Sequence, residues 1–237
     1  MKKILGCLRK AVEDFNMIQE GDRIAVGVSG GKDSLILLKA LKLYQYFSPV
    51  KYELEAITLT MGFDDFDLTG VQEFCKELEI PYTIRATEIG TIVFDIRKEK
   101  NPCSLCAKMK RGALHDLALE RGCRKIALGH HREDVIETIF LSLFYEGRFH
   151  TFSPVTYLDR KGITLIRPLV YAPEAEIIGA ARRHKVPVVK SPCPMDGYSK
   201  RQYMKDLIKN IAKDIPNVQE RILSALKNKD NRNLWDK

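Results

Sequence analysis

A chain of 237 residues, 45% hydrophobic and 30% charged, can bury one sizeable core and has the composition of an ordinary soluble globular protein. Its apolar runs, such as 35–38 and 163–166, are broken within a few residues, which excludes a membrane-spanning helix. The basic start is followed by Arg9, Lys10, Glu13 and Asp14 with no uninterrupted apolar stretch, so no signal peptide is expected and the protein is read as cytoplasmic. The formal charge of +8 comes from 39 Lys and Arg against 31 Asp and Glu.

In chain order, apolar residues at helical spacing predict a helix over 3–17. RIAVGV at 23–28 reads as a buried strand running into a Ser-Gly-Gly turn, and 34–47 as a helix packed on a sheet. Further strands are expected at 52–60, 82–86, 125–128, 163–166 and 186–189. Helices are expected at 68–78, 104–121, 132–145, 174–184, 199–213 and 217–227, and 148–162 reads as a surface loop or hairpin. Strands alternating with helices imply an α/β fold, an open doubly wound parallel sheet with its ligand site at the carboxyl ends of the strands. The whole chain, 1–237, is expected to form a single domain with its core at about 20–190, an N-terminal helix and a helical C-terminal extension at about 197–230.

The stretch AVGVSGGKDS at 25–34 concentrates the chemistry. A strand delivers the chain to Ser29, Gly30 and Gly31 allow a tight turn, and a helix begins near Ser34, so backbone N–H groups and the helix dipole form a seat for phosphate oxygens. Lys32 adds positive charge, Ser29 and Ser34 add hydroxyls, and Asp33 can hold Mg²⁺. It is not a Walker loop, because no glycine precedes Gly31-Lys32 at the required spacing.

This loop resembles the S-G-G-x-D-S PP-loop of the N-type ATP pyrophosphatases, which cleave ATP between its α and β phosphates and adenylate a carbonyl-like oxygen. IALGHHRED at 126–134 resembles the G-H-x-x-D-D segment of tRNA-modifying PP-loop enzymes, with Glu133 where aspartate is usual. That resemblance puts Gly129, His130 and Asp134 near the ATP phosphates or the metal. Arg167-Pro168-Leu169 also matches a short segment of the superfamily.

Six cysteines are present, and in a cytoplasmic enzyme they argue for metal or redox chemistry rather than disulfides. Cys103 and Cys106 stand three apart at an expected helix start, where both sulfurs can face one ion or cluster and the helix end favours thiolate. A redox C-x-x-C and a zinc site compete with that reading, although no second C-x-x-C exists to complete a four-cysteine zinc site. Cys193 lies in a rigid Ser-Pro-Cys-Pro loop, and only folding could bring it near the pair. Cys7, Cys75 and Cys123 read as buried structural thiols.

Taken in order, PP-loop, PCSLCAKMKRG, GHHRED and a late loop cysteine resemble the layout of the tRNA 2-thiocytidine biosynthesis family over about residues 23–210. The resemblance implies an ATP-dependent tRNA sulfurtransferase releasing AMP and pyrophosphate, with Lys32 and Asp33 catalytic. It implies a [4Fe–4S] cluster on Cys103, Cys106 and Cys193, with one iron lacking a protein ligand. The partners implied are tRNA and a sulfur donor, either sulfide or a cysteine desulfurase persulfide, and the family admits a homodimer. The zinc modules of the sister group that thiolates other tRNA positions are absent, since there is a lone Cys7 at the start and no cysteine after Cys193. Basic clusters at 98–111, 121–125, 182–185 and 200–205 suit a polyanion such as tRNA, with Lys108, Arg111, Lys200 and Lys205 on its phosphates; the alternative is ordinary solvated faces. Rival functions are a PP-loop enzyme that thiolates another nucleoside or ligates nitrogen, as lysidine synthetase does, and a non-catalytic iron–sulfur or zinc RNA-binding protein. The first of these rivals, in its nitrogen form, leaves the three cysteines without a use.

Overall fold

The structure, a computed structural model, describes residues 1–63, 66–98, 102–193 and 200–228. The chain divides into two compact units, 1–131 with 154–196, and 132–153 with 197–237. Three parts of the expected features lie outside the described residues: 194–199 of the late cysteine segment, Lys100 of a basic cluster, and 229–230 of the C-terminal extension.

The first unit holds a six-stranded sheet in the order β3-β2-β1-β4-β6-β5. Its strands are β1 (Asp22–Gly27), β2 (Tyr52–Leu59), β3 (Tyr82–Arg85), β4 (Lys125–Ala127), β5 (Val155–Leu158) and β6 (Ile163–Ile166). All neighbours pair parallel except β5 with β6, which form an antiparallel hairpin. The sheet is therefore mixed at one edge rather than wholly parallel. A short turn around Gly162, with φ of +61°, allows the hairpin without a crossover helix.

Its helices are α1 (Lys2–Asp14), α2 (Lys32–Tyr44), α3 (Thr69–Glu77), α4 (Pro102–Glu120) and α6 (Glu174–Arg183), with a π-helical stretch at Thr91–Ile96 that the apolar pattern did not suggest. Alternation along the strands divides the core. Ala25, Ile57, Ile126 and Leu165 point with Leu117 and Ala118 of α4 into one cluster. α2 packs against β1, α1 and α6, which explains why Leu35, Ile36, Leu37 and Leu38 are all buried and why its sequence shows no clean polar face. The expected strand at 186–189 does not form. Pro187 removes a ladder donor, the Val188 N–H turns back to the Val186 carbonyl at 2.8 Å, and the Val189 N–H donates to Gly30 in the loop after β1.

The second unit contains α5 (Arg132–Glu146), α7 (Lys200–Asp214) and α8 (Val218–Lys227). α5 packs against both others, and Arg201 donates to Glu137 at 3.0 Å. Arg132 reaches Gln219 at 2.8 Å and pairs with Glu220. Among the described residues no helix is long and apolar enough to cross a membrane.

Candidate active site

β1 ends at Gly27 and α2 begins at Lys32, so residues 28–31 make the tight connection at the carboxyl edge of the central strand. Gly30 has φ of +79°, a conformation open to glycine, and a Cβ there would stand 3.2 Å from Cβ of Val189. The loop closes on itself through its serines. Ser34 donates its hydroxyl to the Gly31 carbonyl at 3.0 Å and accepts from the Ser29 N–H at 3.1 Å, while the Ser29 and Ser34 hydroxyls lie 3.2 Å apart. No side chain caps the start of α2, so its first N–H groups keep their capacity to bind an anion.

The charged residues of the loop form a compact set. Lys32 Nζ lies 3.0 Å from Asp33 Oδ2 and 3.1 Å from Glu174 Oε1, on the first residue of α6. Burial alone would lower the Lys32 pKa, but the two carboxylates outweigh it and hold the ammonium charged. Asp33 Oδ1 is buried with no hydrogen-bond partner among the described residues, and His131 Nε2 stands 3.7 Å away. A buried carboxylate oxygen so placed fits a divalent cation, with its other oxygen on Lys32. Gly129 brings the turn after β4 against this helix start, since a Cβ there would meet backbone atoms of Asp33 and Ser34 at 3.1 Å. His130 is the next residue in that turn and is half-buried. Asp134 belongs to the first turn of α5 in the second unit, where its carboxylate is 3.6 Å from Arg201.

Beside the loop lies a cleft of about 640 Å³. Ser29, Gly31, Lys32 and Asp33 line one side, Met61, Phe63 and Phe66 supply an apolar wall, and Cys106 and Cys193 also face it. Cys106 sits on the second turn of α4, which begins at Pro102, and Cys103 precedes it by one turn. Burial pushes the Cys106 thiol up and Lys110 pulls it back, while the neighbouring Cys193 and Cys103 push it further. The loop at 191–193 thus approaches the expected pair across the fold. No three His, Cys, Asp or Glu side chains among the described residues close around a single metal ion. The three thiols, from two chain segments, have the soft donor chemistry that an iron–sulfur cluster takes. By contrast, Cys75 and Cys123 are buried away from this set, the Cys75 thiol being pushed up by burial to about 11.

Lys110 and Arg111 line the cleft, and Lys108 is exposed on the same helix. Other members of the basic clusters have internal tasks. Arg121 donates to the buried Glu55 at 2.6 Å, and Lys125 pairs with Asp22. Arg167 is buried and donates to Thr156 at 3.2 Å, bracing the β5–β6 hairpin, and the chain after it leads through buried Leu169 and Val170 to Glu174.

Sequence reasoning missed Glu174, His131 and the apolar wall. Glu174 carries only a weak signal, an acidic residue opening a helix after Pro173. The wall could have been sought at the carboxyl end of the second strand, where Met61 and Phe63 follow directly.

The profile of the family described as PP-loop domain matches residues 4–211. The tRNA-cytidine(32) 2-sulfurtransferase of Geobacter metallireducens is 42% identical over 239 residues, covering 100% of this chain and 93% of that protein. The protein of the same name from Citrifermentans bemidjiense is 41% identical over 231 residues, covering 96% and 91%. Among solved structures, the U34-tRNA thiolase NcsA from Methanococcus maripaludis with its [4Fe–4S] cluster superimposes with a TM-score of 0.77 at 27% identity, over 95% of this chain and 77% of that one.

Proposed function

The chain belongs to the PP-loop family and, within it, to the tRNA-cytidine 2-sulfurtransferases, and on that premise we propose that it uses ATP to replace the O2 of cytidine 32 in tRNA with sulfur. The observation that carries the reading is the cleft shared by the phosphate-binding loop and two of the three cysteines. Activation and sulfur delivery need one space, because an adenylated base exposed to water would be hydrolysed.

ATP lies with its phosphates on residues Ser29–Ser34, under the open N–H groups of α2. Asp33 would hold Mg²⁺ through its buried Oδ1, the ion supplying positive charge to the phosphates, and Lys32 offers its ammonium to the β and γ phosphates. The cytosine O2 attacks the α-phosphorus, the α–β bridging bond breaks, and pyrophosphate leaves with the charge that Lys32 neutralises. Hydrosulfide then adds at C2, the oxygen departs with AMP and the S–H proton is lost to water. A cysteine desulfurase persulfide yields the same sulfur only with two electrons from a thiol reductant, which is oxidised to a disulfide. Cys103, Cys106 and Cys193 would hold a [4Fe–4S] cluster. When bound, it supplies an iron without a protein ligand, suited to presenting soft sulfur. Lys108, Lys110 and Arg111 bind tRNA phosphates, and the target base leaves its stack to enter between the Met61–Phe63 wall and the thiols. Lys200 and Lys205 add phosphate contacts from α7, and the reaction belongs to the cytoplasm, where tRNA and ATP are both found.

The test is an anaerobic assay with tRNA, ATP and sulfide. One AMP should form per 2-thiocytidine, and Cys193→Ala should abolish thiolation; a variant that thiolates at the wild-type rate contradicts the reading.

A further inference from the structure

We propose that Glu174 is the positioning residue for Lys32, holding its ammonium toward the departing pyrophosphate. The inference rests on the ATP reading above and adds a residue from an element that neither the loop nor the cysteines involve.

An ammonium has three N–H donors. Asp33 Oδ2 at 3.0 Å and Glu174 Oε1 at 3.1 Å engage two of them, and the side chain borders the cleft where the third can meet a phosphate oxygen. A lysine stem is long and flexible, so one fixed contact does not set its direction but two from different elements do. Asp33 cannot serve alone. It neighbours Lys32 in sequence, and a cation on its buried Oδ1 would draw its charge away from the lysine.

Glu174 is built for the task. Pro173, with φ of −65°, sets the entry to α6, and the start of a helix favours a carboxylate. α6 packs against α2, the helix that carries Lys32, so donor and acceptor share one rigid mount. The Glu174 side chain is only 13% exposed, which limits competition from water.

The test is a double-mutant cycle on the full chain: wild type, Lys32→Ala, Glu174→Ala and the double variant, with Glu174→Gln as the conservative change. In tRNA-dependent AMP formation Glu174→Ala should lower kcat about tenfold, with KM for ATP within about twofold, and Glu174→Gln should recover part of the loss. In the Lys32→Ala background the second substitution should have no further effect. The equilibrium affinity for inorganic pyrophosphate with Mg²⁺ gives a second reading that needs no turnover. There, Glu174→Ala should weaken binding about tenfold only when Lys32 is present. Equal losses in both backgrounds would overturn the assignment. A wild-type protein that binds pyrophosphate in this Glu174-dependent way yet forms no AMP with tRNA would overturn the thiolation reading and uphold the Glu174 assignment.

Discussion

The backbone N–H of Val189 donates to the carbonyl of Gly30 at 2.9 Å. One bond thus ties the loop proposed to seat the ATP phosphates to the segment that carries Cys193, four residues on. The geometry of the late cysteine is set partly by the nucleotide loop, and the contact is tight enough that a Cβ at Gly30 would press on Val189.

Gly30→Ala should therefore damage both halves of the site. The positive φ and the 3.2 Å approach to Val189 together should cost about 1 to 2 kcal/mol of stability. Urea unfolding measures that cost, and iron content after anaerobic reconstitution should fall along with ATP affinity. Normal iron loading with lost ATP binding would separate the two halves and contradict the coupling.

Substitution of the cysteines should sort them into two groups. Cys106→Ser and Cys193→Ser should lose the broad visible absorbance of an iron–sulfur centre, and Cys103→Ser should do the same. Cys75→Ala should keep it, since that thiol is buried apart from the cleft. Iron and acid-labile sulfide assays give the count, and zinc in place of iron would identify a different centre.

Asp33→Asn removes the charge of the carboxylate whose buried Oδ1 is assigned to Mg²⁺. AMP formation should drop by about 100-fold or more, and titration with Mg²⁺ should no longer saturate at the wild-type concentration. An unchanged Mg²⁺ dependence would place the metal elsewhere.

Glu55 supports the sheet beneath the site. Its side chain is fully buried, with Arg121 Nε at 2.6 Å, Thr83 Oγ1 at 2.8 Å and Arg23 Nη2 at 3.2 Å. Burial pushes this carboxyl up, but the bonds from Arg121 and Thr83, with the Arg121 charge, outweigh it and hold the pKa below the usual range. A depressed folded pKa stabilises above the unfolded value, and that contribution is lost as pH falls through the folded value. Glu55→Gln should cost about 2 kcal/mol at neutral pH, and the gap to wild type should narrow below about pH 4. Urea midpoints across pH check both statements.

Much of this architecture was legible in the residues. Short apolar runs ending in turn residues marked β1, β2 and β4, and the Ser-Gly-Gly turn marked the tight connection between β1 and α2. The C-x-x-C pair lay at a helix start as expected, with Pro102 in the position where its missing N–H does no harm. Local pattern failed where long-range contacts decide. Val186, Val188 and Val189 look like a strand, yet Pro187 and the bond to Gly30 draw the segment to the loop. The π-helical turn at Thr91–Ile96 follows no apolar period, and Glu174 joins Lys32 only because α6 packs on α2. Such a partnership leaves no spacing to read.

The central claim is sulfur insertion at a cytidine of tRNA, and nucleoside mass spectrometry of tRNA from a strain lacking this chain tests it most directly. The account predicts that 2-thiocytidine disappears, that other thiolated nucleosides persist, and that the wild-type chain restores it while Asp33→Asn and Cys106→Ser do not. Undiminished 2-thiocytidine in the deletion strain, or loss of a different nucleoside in its place, would contradict it.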